Sequence, residues 1–323
     1  MQRRTRFSAW IPALLLAAGA ATIYINLPSA ADRDGQAAAR IEALPEVAVP
    51  GRGERLLLLS PHPDDETLCC SGYIQRALAQ GAEVYVAWAT AGDGFEIDAA
   101  ITEHHLNPGK QGMRKLAARR QEEARAAAAT LGIPADHLTF FGYPDDGLTA
   151  MNTLNYAQPY TSPHTGASRV YLGGVQTPGA PFTGEALEAD LRRLLDRVQP
   201  TRVLVPAAQD HHGDHHTLGF VAMRVLAERG EERTLNYYLI HGGLEWPVPK
   251  GEHPDLPLLP SALARRLPWQ RLDLTPQEQE RKREATRKYQ TQMAVTGRFM
   301  EAFDRRNELI TPSTLPPDPT AAP

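Results

Sequence analysis

Two short stretches concentrate the residue types that can hold a metal ion and move protons. Residues 61–66 read Pro-His-Pro-Asp-Asp-Glu, and residues 210–216 read Asp-His-His-Gly-Asp-His-His. Histidine and aspartate are borderline-to-hard ligands that suit zinc, and a catalytic zinc takes three protein ligands with a fourth position left for water. The first stretch offers His62 and the carboxylates of Asp64, Asp65 and Glu66 within one turn. The second offers more imidazoles from a distant part of the chain. Pro61 and Pro63 limit the backbone around His62 and help fix its direction. Each stretch alone also has a plainer reading: a turn in which Asp64 or Asp65 caps the following helix, or a solvated, histidine-rich face.

The elements around these stretches bear on that choice. Residues 56–60 form a short continuous apolar run, as a buried parallel strand does. Strand patterns recur at 83–90, 137–141, 202–206 and 234–240. Helical patterns lie between them, at 66–80, 114–131, 186–198 and 215–228, with Gly132 as a C-cap signal. A last helix starts at the N-cap Thr275, with Pro276 in its first turn and Glu278 completing a capping box, and runs to about Phe303. Strands alternating with helices predict an α/β, Rossmann-like fold: a mostly parallel sheet flanked by helices, in a single domain with loop insertions. In such sheets ligands bind beyond the carboxyl ends of the strands. The Pro-His-Pro-Asp-Asp-Glu stretch follows the first strand, Asp93 the second, Asp145 and Asp146 the third, and the histidine run the fourth. Acidic and imidazole groups therefore gather on one edge, which scattered surface charge would not do. Asp93, between two glycines, reads as a turn residue. Asp145 and Asp146 fit a turn almost as well as a site wall, and His104 and His105 receive no role. Residues 149–183 and 246–273 break the rhythm; their tyrosines and Trp246 suggest an ordered substrate rim.

At these residues the chain resembles the PIG-L/LmbE-like family of zinc-dependent N-acetylglucosamine de-N-acetylases. The family's His-Pro-Asp-Asp-Glu stands at His62 to Glu66, and its Asp-x-His-x-Asp-His pattern with a following glycine at Asp210, His212, Asp214, His215 and Gly219. Arg120, Glu123, Leu131 and Gly132 match an intermediate helix motif. Lys282, Ala285, Tyr289 and Gln292 resemble the closing signature, so the likeness covers roughly residues 54–295. Gly213 stands where the family commonly has proline, and the 149–183 insertion exceeds what a minimal member needs. The resemblance implies that His62, Asp65 and His215 bind Zn2+ and that Asp64 is the general base for the attacking water. It also implies that a protonated His212 faces the developing oxyanion, oriented by the carboxylate of Asp214. The implied reaction is hydrolysis of the N-acetyl group of an N-acetylglucosamine-type amino sugar in a glycoconjugate, with release of acetate. Alternatives are a zinc hydrolase of another amide or ester, and a catalytically inactive carbohydrate-binding relative.

Bulk properties narrow the classes further. The 323 residues are 42% hydrophobic and 22% charged, with a net charge of −4, so bulk electrostatics do not favour nucleic acid. No Gly-x-Gly-x-x-Gly follows the first strand, which argues against a dinucleotide enzyme. Cys69 and Cys70 are adjacent, and such pairs rarely reach disulfide geometry, so no disulfide is expected. Arg3, Arg4 and Arg6 precede an uncharged apolar stretch over 7–25. Residues 1–31 therefore read as an export signal or membrane anchor, implying a periplasmic, extracellular or membrane-anchored location. Residues 32–53 read as a linker, 54–305 as the catalytic domain, and 306–323 as a disordered tail.

Overall fold

The computed structural model describes residues 35–96, 108–243 and 246–312, with residues 19, 99 and 101. The apolar leader over 7–25, His104 and His105 lie outside the described residues apart from residue 19. Among the described residues no helix is long and apolar enough to cross a membrane.

In chain order the elements are α1 (Gly35–Glu42), β1 (Arg55–Ser60), α2 (Asp65–Ala79), β2 (Glu83–Thr90), α3 (Gly109–Leu131), β3 (Leu138–Tyr143), α4 (Leu148–Asn152), α5 (Gly184–Val198), β4 (Arg202–Pro206), α6 (Gly213–Glu228), β5 (Leu235–Tyr238), β6 (Gln270–Asp273), α7 (Pro276–Thr286), α8 (Gln290–Glu301) and β7 (Asn307–Ile310). Five parallel strands form one sheet in the order β3-β2-β1-β4-β5. Alternation along β1 sends Leu57 and Leu59 into a core with α5 and α6, and Leu56 and Leu58 into a core with α2, α3, α7 and α8. Helices thus cover both faces. The strand order reverses between β1 and β4, and that crevice is where doubly wound sheets bind ligands. Both chemistry-bearing stretches leave the sheet there, directly after β1 and β4.

Several sequence expectations are corrected. Residues 32–53 are not simply a linker: α1 spans part of them, Ile41 is buried, and Val47 N–H donates to Arg271 O at 2.9 Å while Arg271 N–H donates to Pro45 O at 2.9 Å. No apolar periodicity marks this stretch because two buried side chains, Ile41 and Val47, and a few backbone bonds suffice to dock it. Residues 306–323 are not wholly a tail, since Asn307–Ile310 pairs antiparallel with β6 and Glu308 is fully buried against Lys282. A four-residue strand ending in a proline-rich run carries too little pattern to be read. The single helix expected from Thr275 to Phe303 is two, because the chain turns at Tyr289 to bury its ring and bond Glu66. The capping box at Thr275 and Glu278 forms as read. Cys69 and Cys70 are joined as a disulfide within α2, buried against each other, contrary to the expectation of none. Trp246 does not form a rim. Its indole turns inward onto Phe303 and donates to Leu259 O at 2.8 Å.

Candidate metal centre

Asp64 closes the turn after β1 with φ at 137°, a conformation that costs a non-glycine residue of order 1–3 kcal/mol and persists only when neighbours enforce it. Here the neighbours are identifiable. Gln292 of α8 donates to Pro63 O at 2.7 Å and also to the Asp64 carboxylate. Arg120 of α3 donates to Gly92 O at 2.7 Å and to Pro63 O at 3.3 Å. Gly92 has to be glycine, because its φ is +64° and a Cβ there would sit 2.6 Å from the Arg120 guanidinium. Glu66 is fully buried and accepts from Trp88 Nε1 at 2.9 Å and from the Tyr289 hydroxyl. The turn is thus braced by α3, β2 and the α7–α8 junction.

This bracing aims three side chains at one point. His62 Nδ1 lies 3.0 Å from His215 Nε2 and 3.5 Å from Asp65 Oδ2, and the last two atoms are 3.3 Å apart. A tetrahedral zinc with bonds of about 2.0–2.1 Å needs ligand atoms about 3.3–3.4 Å apart. Two imidazole nitrogens and one carboxylate oxygen in that triangle therefore fit the ion in donor type and spacing. The outer nitrogens are also held: His62 Nε2 lies 2.9 Å from Asp145 Oδ1, and His215 Nδ1 lies 3.2 Å from Asp210 Oδ2. Carboxylates in that position fix the ring and raise its basicity toward a metal. Other sets whose ligand atoms lie within 4.8 Å include His62, His212 and His215, and Asp65, His215 and His241.

The electrostatics follow from burial among opposed charges. Burial opposes charge on His62, but Asp145, Asp214 and Asp65 outweigh it and hold its pKa well above the usual histidine value. His215 is raised for the same reason by Asp210 and Asp65. Burial is likewise overcome at Asp65, Asp145 and Asp210, where the imidazoles hold the carboxyls below the usual range. Asp64 goes the other way: burial and the adjacent Asp65 charge push it well above that range. Two neighbouring carboxyls driven apart in this manner mark an acid–base site.

His212 and Asp214 are placed differently from the resemblance. His212 is the N-cap of α6, and its Nδ1 accepts from Asp214 N–H at 3.2 Å. In the metal-free protein burial and the charges on His62 and His215 lower its pKa to about 4. The Asp214 carboxylate does not orient His212. It accepts from Asp146 N–H at 2.8 Å and Leu148 N–H at 2.9 Å and lies 3.4 Å from His62 Nε2. Asp214 therefore orients His212 through its backbone and the loop after β3 through its carboxylate. His212 Nε2 faces Asp146 Oδ1 at 3.6 Å.

Three residues carry more than their sequence reading. Asp145 belongs to the site through His62. Asp93 is a buried brace, accepting from Asp145 N–H at 2.9 Å and from the Tyr171 hydroxyl at 2.6 Å, which ties the 149–183 insertion to the site wall. His241, three residues beyond β5, lines the cavity beside Ile240 and has its pKa lowered to about 3 by burial and His215. Its signal was available, because it follows the fifth strand on the same sheet edge. His211 and His216 stay outside: His211 is exposed, and His216 packs on Phe220. His62, Asp65, Asp64 and His212 open into one cavity of about 360 Å³, walled also by Leu68, Phe95 and Phe299, with His215 fully buried behind them.

Comparison with known proteins bears on this geometry. Residues 57–226 match the family described as GlcNAc-PI de-N-acetylase (PIG-L). A 1D-myo-inositol 2-acetamido-2-deoxy-alpha-D-glucopyranoside deacetylase of Streptomyces scabiei is 28% identical over 207 residues, 62% of this chain and 53% of that protein. The enzyme of the same name from Mycobacterium sp. strain KMS is 38% identical over 90 residues, 28% of each chain. The matched stretches thus span about half or less of these relatives. Among solved structures, a deacetylase–teicoplanin complex has a TM-score of 0.52 at 18% identity, over 80% of this chain and 97% of that one. The A40926 pseudoaglycone deacetylase has 0.51 at 20%, over 80% and 96%. These two likenesses establish the shared fold.

Proposed function

Because the chain belongs to the GlcNAc-PI de-N-acetylase (PIG-L) family, we propose that it is a zinc-dependent N-deacetylase that releases acetate from an N-acetylglucosamine-type sugar of a glycoconjugate. The observation that carries the reading is the triangle of His62 Nδ1, Asp65 Oδ2 and His215 Nε2, with edges of 3.0, 3.5 and 3.3 Å, beside a carboxyl of raised pKa. The named activities of the relatives support the substrate class. His62, Asp65 and His215 would hold the zinc, which supplies Lewis acidity, polarising the amide carbonyl and making its water a nucleophile near neutral pH.

The chain's own groups do the rest. Asp64 is held toward the cavity by Gln292 and its enforced backbone, so its oxygen takes a proton from the attacking water and passes it to the departing amine. Its raised pKa suits both halves of that task. With Nδ1 occupied by Asp214 N–H, the proton of neutral His212 sits on Nε2 and is donated to the oxygen that gains charge at the tetrahedral carbon. In this reading the donor is a neutral ring held at a helix N-cap, where the resemblance implied a cation. The test is acetate release from a panel of N-acetylated mono- and oligosaccharides, before and after chelation and zinc return. Release that disappears with chelator and returns with zinc is expected. Zinc-loaded protein that frees acetate from no member of the panel refutes the reading.

A further inference from the structure

A second cleft, of about 490 Å³, is lined by Gln209, which follows β4, and by residues 262–267. The latter segment is firmly anchored. Ser261 Oγ accepts from Leu263 N–H at 3.1 Å and donates to Gly242 O at 2.6 Å. Ala264 is buried, and its carbonyl accepts from Trp269 Nε1 at 2.7 Å. This fixed turn presents the exposed side chains of Arg265 and Arg266 to the cleft. Neither guanidinium has an acidic partner among the described residues, whereas nearby Arg271 pairs with Glu46 and Asp273, and Arg306 with Glu42. The planar donor forks of Arg265 and Arg266 match a carboxylate or a phosphate.

The cleft and the metal centre are joined through neighbouring residues of the chain. Gln209 precedes Asp210, whose carboxylate lies 3.2 Å from His215 Nδ1, and Gly242 follows His241, which lines the metal cavity. Asp64, Asp65, Asp145 and Asp146 line the metal cavity together with His62 and Arg120, whereas the cleft is lined by two arginines and no carboxylate. An anionic group is drawn to the cleft. We infer that Arg265 and Arg266 form a subsite for a carboxylate or phosphate carried by the glycoconjugate next to its N-acetylated sugar. The inference rests on the functional reading above and adds the charge of the substrate's neighbouring unit.

The test compares two disaccharides, N-acetylglucosamine joined to glucose and N-acetylglucosamine joined to glucuronate, which differ by one carboxylate. Binding and acetate release are both measured, for the wild-type chain and for Arg265→Gln/Arg266→Gln. The acidic disaccharide should bind about fivefold to tenfold more tightly at low salt, with the preference fading as salt rises. The double variant should lose that preference through KM while turning over the neutral disaccharide unchanged. Inorganic phosphate that competes only with the acidic disaccharide would place a free anion in the same cleft; absence of competition would confine the cleft to anions tethered to the sugar. Equal binding of the two disaccharides, or equal losses on both in the variant, overturns the subsite. If neither disaccharide releases acetate but the charge preference in binding is present and vanishes in the variant, the subsite stands and the deacetylase reading falls.

Discussion

Asp64 and Asp65 are neighbours in the chain, yet the turn sends them to different tasks. Asp65 Oδ2 is an apex of the ligand triangle, while Asp64 sits at φ 137° with its carboxylate on Gln292. Asparagine tolerates positive φ about as well as aspartate, so Asp64→Asn keeps the turn and removes only the proton acceptor. We expect that variant to retain zinc while kcat falls about 10²-fold or more. Asp65→Asn should lose metal, because a neutral amide is a poor zinc ligand. His212→Gln should keep metal and lose kcat, since its Nε2–H acts on the transition state. Zinc content and kcat measured on the same three proteins decide the matter. A zinc-free Asp64→Asn beside a loaded but slow Asp65→Asn would mean that the two roles are exchanged. The candidate ligands themselves were legible in sequence because they follow strands of one sheet edge. The state of His212 was not, because it depends on burial, on two charged rings and on one backbone N–H, none of which has a local signature.

At the scale of elements, the closing signature turns out to be scaffolding for the turn that carries His62. Tyr289 bonds Glu66, Gln292 bonds Pro63 and Asp64, Ala285 is buried in the core, and Lys282 lies 2.9 Å from the fully buried Glu308. Glu308 in turn accepts from Gly72 and Tyr73 N–H at 3.0 Å each, so one carboxylate joins β7 and α7 to α2, the helix that bears Asp65. Gly219 works similarly, since a Cβ there would meet Pro206 O at 2.5 Å and push α6, with His215, off β4. Removing one partner of a buried ion pair leaves the other charge uncompensated, which costs about 3–5 kcal/mol. Lys282→Met should therefore lower unfolding stability in urea by about that amount, and Lys282→Met/Glu308→Leu should recover part of it. A Lys282→Met protein within about 1 kcal/mol of wild type would show that the pair does not hold these elements together. Strand and helix order was readable from apolar runs and caps, whereas β6, β7 and the docking of α1 were not. Their hold comes from contacts distant in sequence, such as Val47 with Arg271 and Lys282 with Glu308.

The molecule as a whole places at least six carboxylates and four imidazoles around one crevice at the switch point of its sheet, and that arrangement has a pH-dependent consequence for stability. In the metal-free protein the folded-state pKa values of His62 and His215 are raised above the unfolded value of about 6.5. Their protonation therefore stabilises the fold fully below that pH, and this contribution is lost as pH climbs through the raised folded values. Metal binding needs the same two rings deprotonated, so protons and zinc compete, and metal affinity grows as pH rises. The apo fold thus weakens on the alkaline side while the metal-bound fold gains there. Binding at a thousandfold excess over Kd stabilises by about 4 kcal/mol, enough to move a melting temperature by several degrees. The expected result is a gap in Tm between zinc-loaded and chelator-treated protein that widens as pH rises above about 6.5, the unfolded histidine value, through the raised folded values. Thermal melts of both forms across that range, with proton release followed on zinc titration, measure it. A gap that stays constant or narrows as pH rises would mean that His62 and His215 do not share their nitrogens between proton and metal, and would remove them from the ligand set.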